Sequence, residues 1–225
     1  MLYTPQSLTD GQKVQARGNI GAAPDGYGIG SGIGKPITDA NEAVLGGFYY
    51  WGSGVKNAPF EYGAMIVIPR STSSLSNPDV TQIASQDIDV SSPLTYIAVR
   101  KSIDRATGVV WGEWEWVNPP MQLGVEYRTT ERYLGKPVYV KVVDCGSCPA
   151  DGYKDVVYAV AYTVTPIRCE GTWSYTSGST IPFESTDEDQ LHIGALGNTI
   201  RVKTGGKDFS SYTYTATVYY TKVTD

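Results

Sequence analysis

Few residues in this chain are suited to chemistry: three cysteines, Cys145, Cys148 and Cys169, and one histidine, His192. Cys145-Gly-Ser-Cys148 has zinc-knuckle spacing, and Cys169 with His192 would complete a Cys₃His set. A second paired element is missing, and no export signal is visible. The thiols are therefore expected reduced, buried or half-buried, and without metal. On that reading Cys148→Ser leaves folding nearly unchanged. A serine triad would have to use His192, set between apolar Leu191 and Ile193, yet no G-x-S-x-G elbow exists. Gly30-Ser-Gly-Ile-Gly-Lys35 offers glycines and a lysine to a phosphate, but Pro36 stands where a helix-opening hydroxyl residue is required. Glu113 and Glu115 share one face of an extended Trp111–Val117, about 6–7 Å apart. Glycosidase carboxylates flank a substrate from opposite sides, so this pair is expected to be a solvated acidic face.

Aromatic residues offer more. Gly171-Thr-Trp-Ser-Tyr-Thr-Ser-Gly-Ser-Thr180 sets Trp173 and Tyr175 among small hydroxylic residues, on one face if extended. Large rings beside Ser and Thr form a binding composition. Tyr153, in the Asp151–Lys154 turn, is a second exposed-ring candidate. Trp173 as a plug of the core is the competing reading.

The elements that must position these residues are mostly strands. Seventeen Tyr against four Phe, with 25 Gly and 13 Pro in 225 residues, point to short strands with half-wet faces and frequent turns. One helix is expected within residues 4–22, with Ser7 as N-cap, and a Gly-rich linker follows. Strands are expected at Val44–Trp51, Ala64–Pro69, Val80–Ala84, Leu94–Arg100, Val109–Val117, Gly124–Thr130, Pro137–Asp144, Val156–Val164, Gly171–Tyr175, Leu191–Ile193, Thr199–Lys203 and Tyr212–Val223. In the last, Tyr212, Tyr214, Ala216, Val218 and Tyr220 alternate against a hydroxyl-bearing face. A net charge of −5 speaks against a phosphate-tracking nucleic-acid binder. No stretch approaches the ~18 apolar residues of a spanning helix, so no membrane insertion is expected.

Three patterns resemble tail-fibre proteins of tailed bacteriophages. Ser7-Leu8-Thr9, Gln12, Gln15-Ala16-Arg17 and Asn19-Ile20-Gly21-Ala22 are similar to a short helical fibre repeat. Tyr62-Gly63, Gln82-Ile83-Ala84, Tyr96–Arg100 and Trp111-Gly-Glu-Trp114 resemble a pyocin-knob domain. Gly135–Lys141, Asp144-Cys145-Gly146, Ile200–Gly205 and Phe209–Thr213 running into Tyr219–Lys222 resemble a C-terminal fibre head.

The resemblance implies a mainly β trimeric fibre: a helical segment at 1–22, a linker at 23–40, a knob-like β domain at 41–120 and an antiparallel β-sandwich head at 121–225. It implies a homotrimeric, non-enzymatic adhesin of the virion, made in the host bacterial cytoplasm and joined to other tail proteins at its N-terminus. The head would bind a bacterial surface glycan or protein through Trp173, Tyr175 and Tyr153. No cofactor is implied. A structural spacer, or an envelope depolymerase or esterase, are the alternatives.

Overall fold

The computed structural model describes residues 7–20, 34–71, 79–87, 95–105, 108–159, 163–175, 180–182, 191–205 and 208–225. Among the described residues the chain is mainly β, with one α-helix, α1 (Asp10–Ile20). Thr9, rather than the Ser7 suggested by the sequence, caps it. Thr9 N donates to Gln12 Oε1 at 2.9 Å, and Gln12 N donates to Thr9 Oγ1 at 3.4 Å, a reciprocal capping box. The helix is polar and exposed along most of its length. Among the described residues no helix is long and apolar enough to cross a membrane. Most of the phosphate-loop-like string, residues 30–33, lies outside the described residues.

Two compact units make up the chain, Met1–Trp114 and Glu115–Asp225. In the first, β1 (Lys35–Pro36) pairs in parallel with β2 (Gly47–Trp51), and an antiparallel meander continues through β3 (Gly63–Ser71), β4 (Asp79–Gln86) and β5 (Ile97–Arg105). β6 (Gly108–Trp111) folds back on β5. Strand alternation separates two faces. Tyr49, Trp51, Met65, Val67, Val80, Ala84 and Ala98 are buried on one. On the other, Phe48, Ile66, Ile83 and Val99 stand side by side across four strands, Phe48 and Ile66 exposed and the other two half-buried.

The buried face also carries polar groups. Gln82 is fully buried; its Nε2 donates to Ala40 O at 2.7 Å and Ala43 O at 2.9 Å, and its Oε1 accepts from Arg100 Nε at 2.8 Å. One side chain thereby ties the 3₁₀ turn Ala40–Glu42 to β4 and β5. The single strand expected at Val109–Val117 is interrupted. Gly112 N still donates to Lys101 O at 2.9 Å, after which Trp114 turns aside and donates from Nε1 to Asn57 O at 2.8 Å.

The second unit begins with β7 (Glu115–Trp116). Glu115 is not on a solvated acidic face. Its side chain is 14% exposed and meets Arg128 Nε at 3.0 Å and Arg132 Nη2 at 2.8 Å. The larger sheet runs β7, β8 (Glu126–Tyr133), β9 (Lys136–Ser147), then the C-terminal strand, then β11 (Val164–Tyr175) and β12 (Thr180–Pro182). A smaller sheet places β14 (Thr199–Thr204) between β10 (Tyr153–Val157) and β13 (Leu191–Leu196). The C-terminal strand, β15 (Tyr212–Lys222), is central and antiparallel to both neighbours. Tyr214, Ala216, Val218 and Tyr220 on it are fully buried, as alternation predicts. They share one core with Tyr139 and Val143 of β9 and Ile200 and Val202 of β14, so the two sheets form a sandwich. The expected strand Val156–Val164 is two strands, β10 ending at Val157 and β11 starting at Val164.

A glycine sets one close approach in this core. A side chain at Gly171 would run into the Tyr214 phenol and come within 2.7 Å of Thr215 O. The Tyr214 hydroxyl is buried and has no hydrogen-bond partner among the described residues. Gly171→Ala is therefore expected to lower stability by about 1–3 kcal/mol through overpacking. Tyr214→Phe removes an unpaired buried hydroxyl and is expected to be neutral or to gain about 1 kcal/mol. Urea titrations of both variants measure this; a destabilised Tyr214→Phe would show that the hydroxyl is satisfied.

Candidate functional site

The smaller sheet turns one face to the core and the other to solvent. Val156, Ile193, Ala195, Ile200 and Val202 pack inward. Their alternates form three ranks across β10, β14 and β13: Tyr153, Lys203, His192; then Asp155, Arg201, Gly194; then Val157, Thr199, Leu196. The middle rank is a fixed clamp. Arg201 Nε donates to Asp155 Oδ1 at 2.8 Å and Nη2 to Oδ2 at 2.7 Å, a bidentate pair. The Arg201 guanidinium also lies over the Tyr153 ring, 4.0 Å from its centroid. The hydrogen bond from Arg201 holds the Asp155 carboxyl below the usual carboxylate range. Tyr153 is 59% exposed, and exposed Val157 and Leu196 flank the clamp. A side chain at Gly194 would meet nothing within 4 Å, so the floor beside Arg201 is open. A planar ring, a preoriented ion pair and small apolar patches suit a polyhydroxylated ligand.

Trp173 and Tyr153 are not brought together. The stretch from Gly171 to Tyr175, expected as a strand, is the end of β11, paired with β15 and, at Thr172–Ser174, with β12. Trp173 points inward, half-buried against the core. Its ring is 4.7 Å from that of Tyr212 and 6.0 Å, edge-on, from that of Phe209. Tyr175 pairs with Tyr212 through its backbone; its side chain lies outside the described residues. Arg201, Asp155 and Gly194 escaped sequence reading because a cross-strand clamp has no linear spacing. Strand alternation around Tyr153 was the available signal.

The CxxC spacing has a backbone explanation. A β-bulge between β9 and β15 pairs Gly146 with Tyr214 but Asp144 with Thr215, leaving Cys145 as the extra residue. Positions 145 and 148 differ by an odd step, yet the bulge lets both thiols bury in the sandwich core. Lys154 Nζ holds the bulge by donating to Cys145 O at 2.7 Å and Ser147 O at 3.2 Å. Burial pushes the Cys145 thiol up to about 12 and Cys169 to about 11, and raises Cys148 as well. All three are protonated at neutral pH and poor nucleophiles. Among the described residues no group of His, Cys, Asp and Glu is arranged to hold a metal ion. His192 is exposed on the outer face.

No family model matches the chain, and no curated protein matches it. Among solved structures, the chain is similar to an N-truncated R2-type pyocin tail fibre, covering 85% of this chain and 99% of that one at 11% identity and a TM-score of 0.25. It is also similar to a C-terminal part of the R1 pyocin fibre of P. aeruginosa, covering 82% and 66% at 10% identity and a TM-score of 0.24. A C-terminal part of the R2 pyocin fibre of that organism aligns over 85% and 69% at 10% identity and a TM-score of 0.23.

Two expectations follow for stability. Cys148 is 4% exposed, so Cys148→Ser, neutral on the sequence reading, buries a hydroxyl among apolar groups and is expected to cost about 1–3 kcal/mol. Trp173→Ala is expected to cost about 3 kcal/mol, whereas Tyr153→Ala stays within about 1 kcal/mol, the worth of its cation–π contact. Thermal melts of the three variants check both; a Trp173→Ala variant as stable as the parent would free that ring from a core role.

Proposed function

We propose that this chain is a homotrimeric adhesin of a phage-type tail fibre. The head at 121–225 contacts a bacterial surface glycan without catalysis, and the knob-like domain at 41–120 and the helical segment 1–22 lead back through the linker toward other virion tail proteins. The observation that carries the reading is the exposed clamp of Tyr153, Arg201 and Asp155, with open ground at Gly194 beside it. Its geometry is fixed by strand pairing, so little entropy is lost when a ligand settles on it. Tyr153 is the proposed contact residue; Trp173 and Tyr175, at the aromatic end of β11, are the further candidates. Trimerisation would multiply weak single-site affinity through effective concentration. The exposed polar helix and the apolar row Phe48, Ile66, Ile83 and Val99 support chains that finish burying surface against copies of themselves.

The test is binding of the labelled full chain to candidate host cells and to their stripped polysaccharide, with light scattering for the oligomer. A mass of three chains and saturable binding to both are expected. Tyr153→Ala and Arg201→Ala should weaken binding by about tenfold or more at unchanged melting temperature, because avidity amplifies each small loss. Trp173→Ala and Tyr175→Ala are read in the same assay. Full binding by all four variants would place the contact elsewhere, and no binding to cells of any host would favour the spacer.

A further inference from the structure

The first unit buries a cation that has no paired carboxylate among the described residues. Arg100 is 6% exposed, and its guanidinium carbon lies 4.3 Å from the ring centroids of both Trp111 and Trp114. Nε donates to Gln82, but Nη2 is closed to solvent and has no hydrogen-bond partner among the described residues. Burial lowers the Arg100 pKa to about 10, opposed by the field of Asp39, so the group stays charged at neutral pH. Asp39 does not take the free edge. Its Oδ1 accepts from Asn41 N and from Asn57 Nδ2, both at 2.8 Å. Buried charges are ordinarily paired, and a guanidinium is matched best by two oxygens of one carboxylate.

Arg100 lines a cavity of about 630 Å³ together with Trp111, Trp114, Asn41, Asn57 and the exposed Glu113. Asn41 Oδ1 is also buried without a partner among the described residues. Two residues of the lining thus carry a charged donor and an acceptor that are closed to solvent and have no partner among the described residues. A simple anion would answer only the first; a neutral polyol could accept from the one and donate to the other, but only a carboxylate also supplies the guanidinium with a counter-charge. Its size is that of a small-ligand pocket, and its lining of indoles and amides suits a flat polyhydroxylated ring better than an aliphatic acid chain.

We propose that this cavity binds the ring of an acidic sugar, a hexuronate, with its carboxylate on Arg100 and a ring hydroxyl donating to Asn41. The site belongs to the first unit alone and goes beyond the proposed contact on the head; either can fail without the other.

Intrinsic tryptophan fluorescence of the full chain tests it, with sodium galacturonate, galactose and sodium acetate titrated at matched ionic strength. A saturable change is expected with galacturonate, about tenfold tighter than with galactose or acetate. Asn41→Asp places a carboxylate inside the cavity, and should weaken galacturonate by about tenfold while the melting temperature holds or rises. Glu113→Gln, at an exposed position of the lining, should strengthen galacturonate by about two- to threefold by removing a like charge, with the melting temperature measured alongside. An equal response to galactose or to acetate, no saturation at tens of millimolar galacturonate, or an affinity indifferent to both substitutions would overturn the proposal.

Discussion

The first unit is organised around one constraint, a guanidinium that must be held charged and nearly dry. Arg100 lies on the core-facing side of β5 and is only 6% exposed. Two indoles cover it and Gln82 takes its Nε, contacts of the charge-assisted and cation–π kind that offset desolvation. Gln82 then spends its amide protons on two carbonyls of the 3₁₀ turn. The irregular chain between β1 and β2 is thereby tied to the sheet through a side chain rather than a ladder. Removing Gln82 would take a hydrogen bond at once from a buried cation, from Ala43 O and from Ala40 O, the last left with only the 3.4 Å bond from Ala43 N, so the three contacts are coupled. Trp114 is anchored at Asn57, and that anchor closes one wall of the cavity over Arg100.

The second unit solves a different problem, fitting large phenols between two sheets. Tyr139 stacks on Tyr220 with centroids 6.0 Å apart, and Tyr158 tilts against the same ring at 5.3 Å. Tyr158 sends its hydroxyl to Gly197 O at 2.6 Å, and Tyr220 donates to Glu126, which also pairs with Lys222 at 2.6 Å. These rings thus bury apolar surface while their hydroxyls find acceptors. Tyr214 is the exception: its hydroxyl has no acceptor among the described residues, and its phenol fits because residue 171 is a glycine. Alternation in the smaller sheet then keeps the two jobs apart. Residues facing inward make the core, and the opposite residues are left free to form the exposed clamp.

Much of this was legible in the sequence because it is local. Strand alternation in Tyr212–Lys222, the helix near the N-terminus and the mainly β character follow from period and turn chemistry, while the sandwich in the C-terminal half was expected from the resemblance to a fibre head. The Tyr153 ring was legible too, since a ring beside a Gly turn at a strand start has one face in solvent. The cap was a local choice too: Thr9 serves instead of Ser7 because Gln12, three residues on, reaches back to it. Other features depended on a bond between distant residues. The strand through Trp111–Val117 breaks because Trp114 finds Asn57, some 57 positions earlier. Glu115 is drawn from solvent by Arg128 and Arg132.

By itself, then, the sequence determined which residues lie on a common face of each strand, because that is dictated by backbone geometry within a few residues. Which face became core, and which partner each buried polar group met, was decided only in the tertiary structure. The CxxC pair shows the difference. Its spacing is a linear fact, but a bulge created by pairing with β15 turns both thiols into core. Arg100 shows it again. A lone arginine in an apolar strand reads as a polar interruption, and only the approach of Trp111, Trp114 and Gln82 makes it the buried charge around which a cavity forms. Desolvation depends on everything that surrounds a group, and most of what surrounds these groups is far away along the chain.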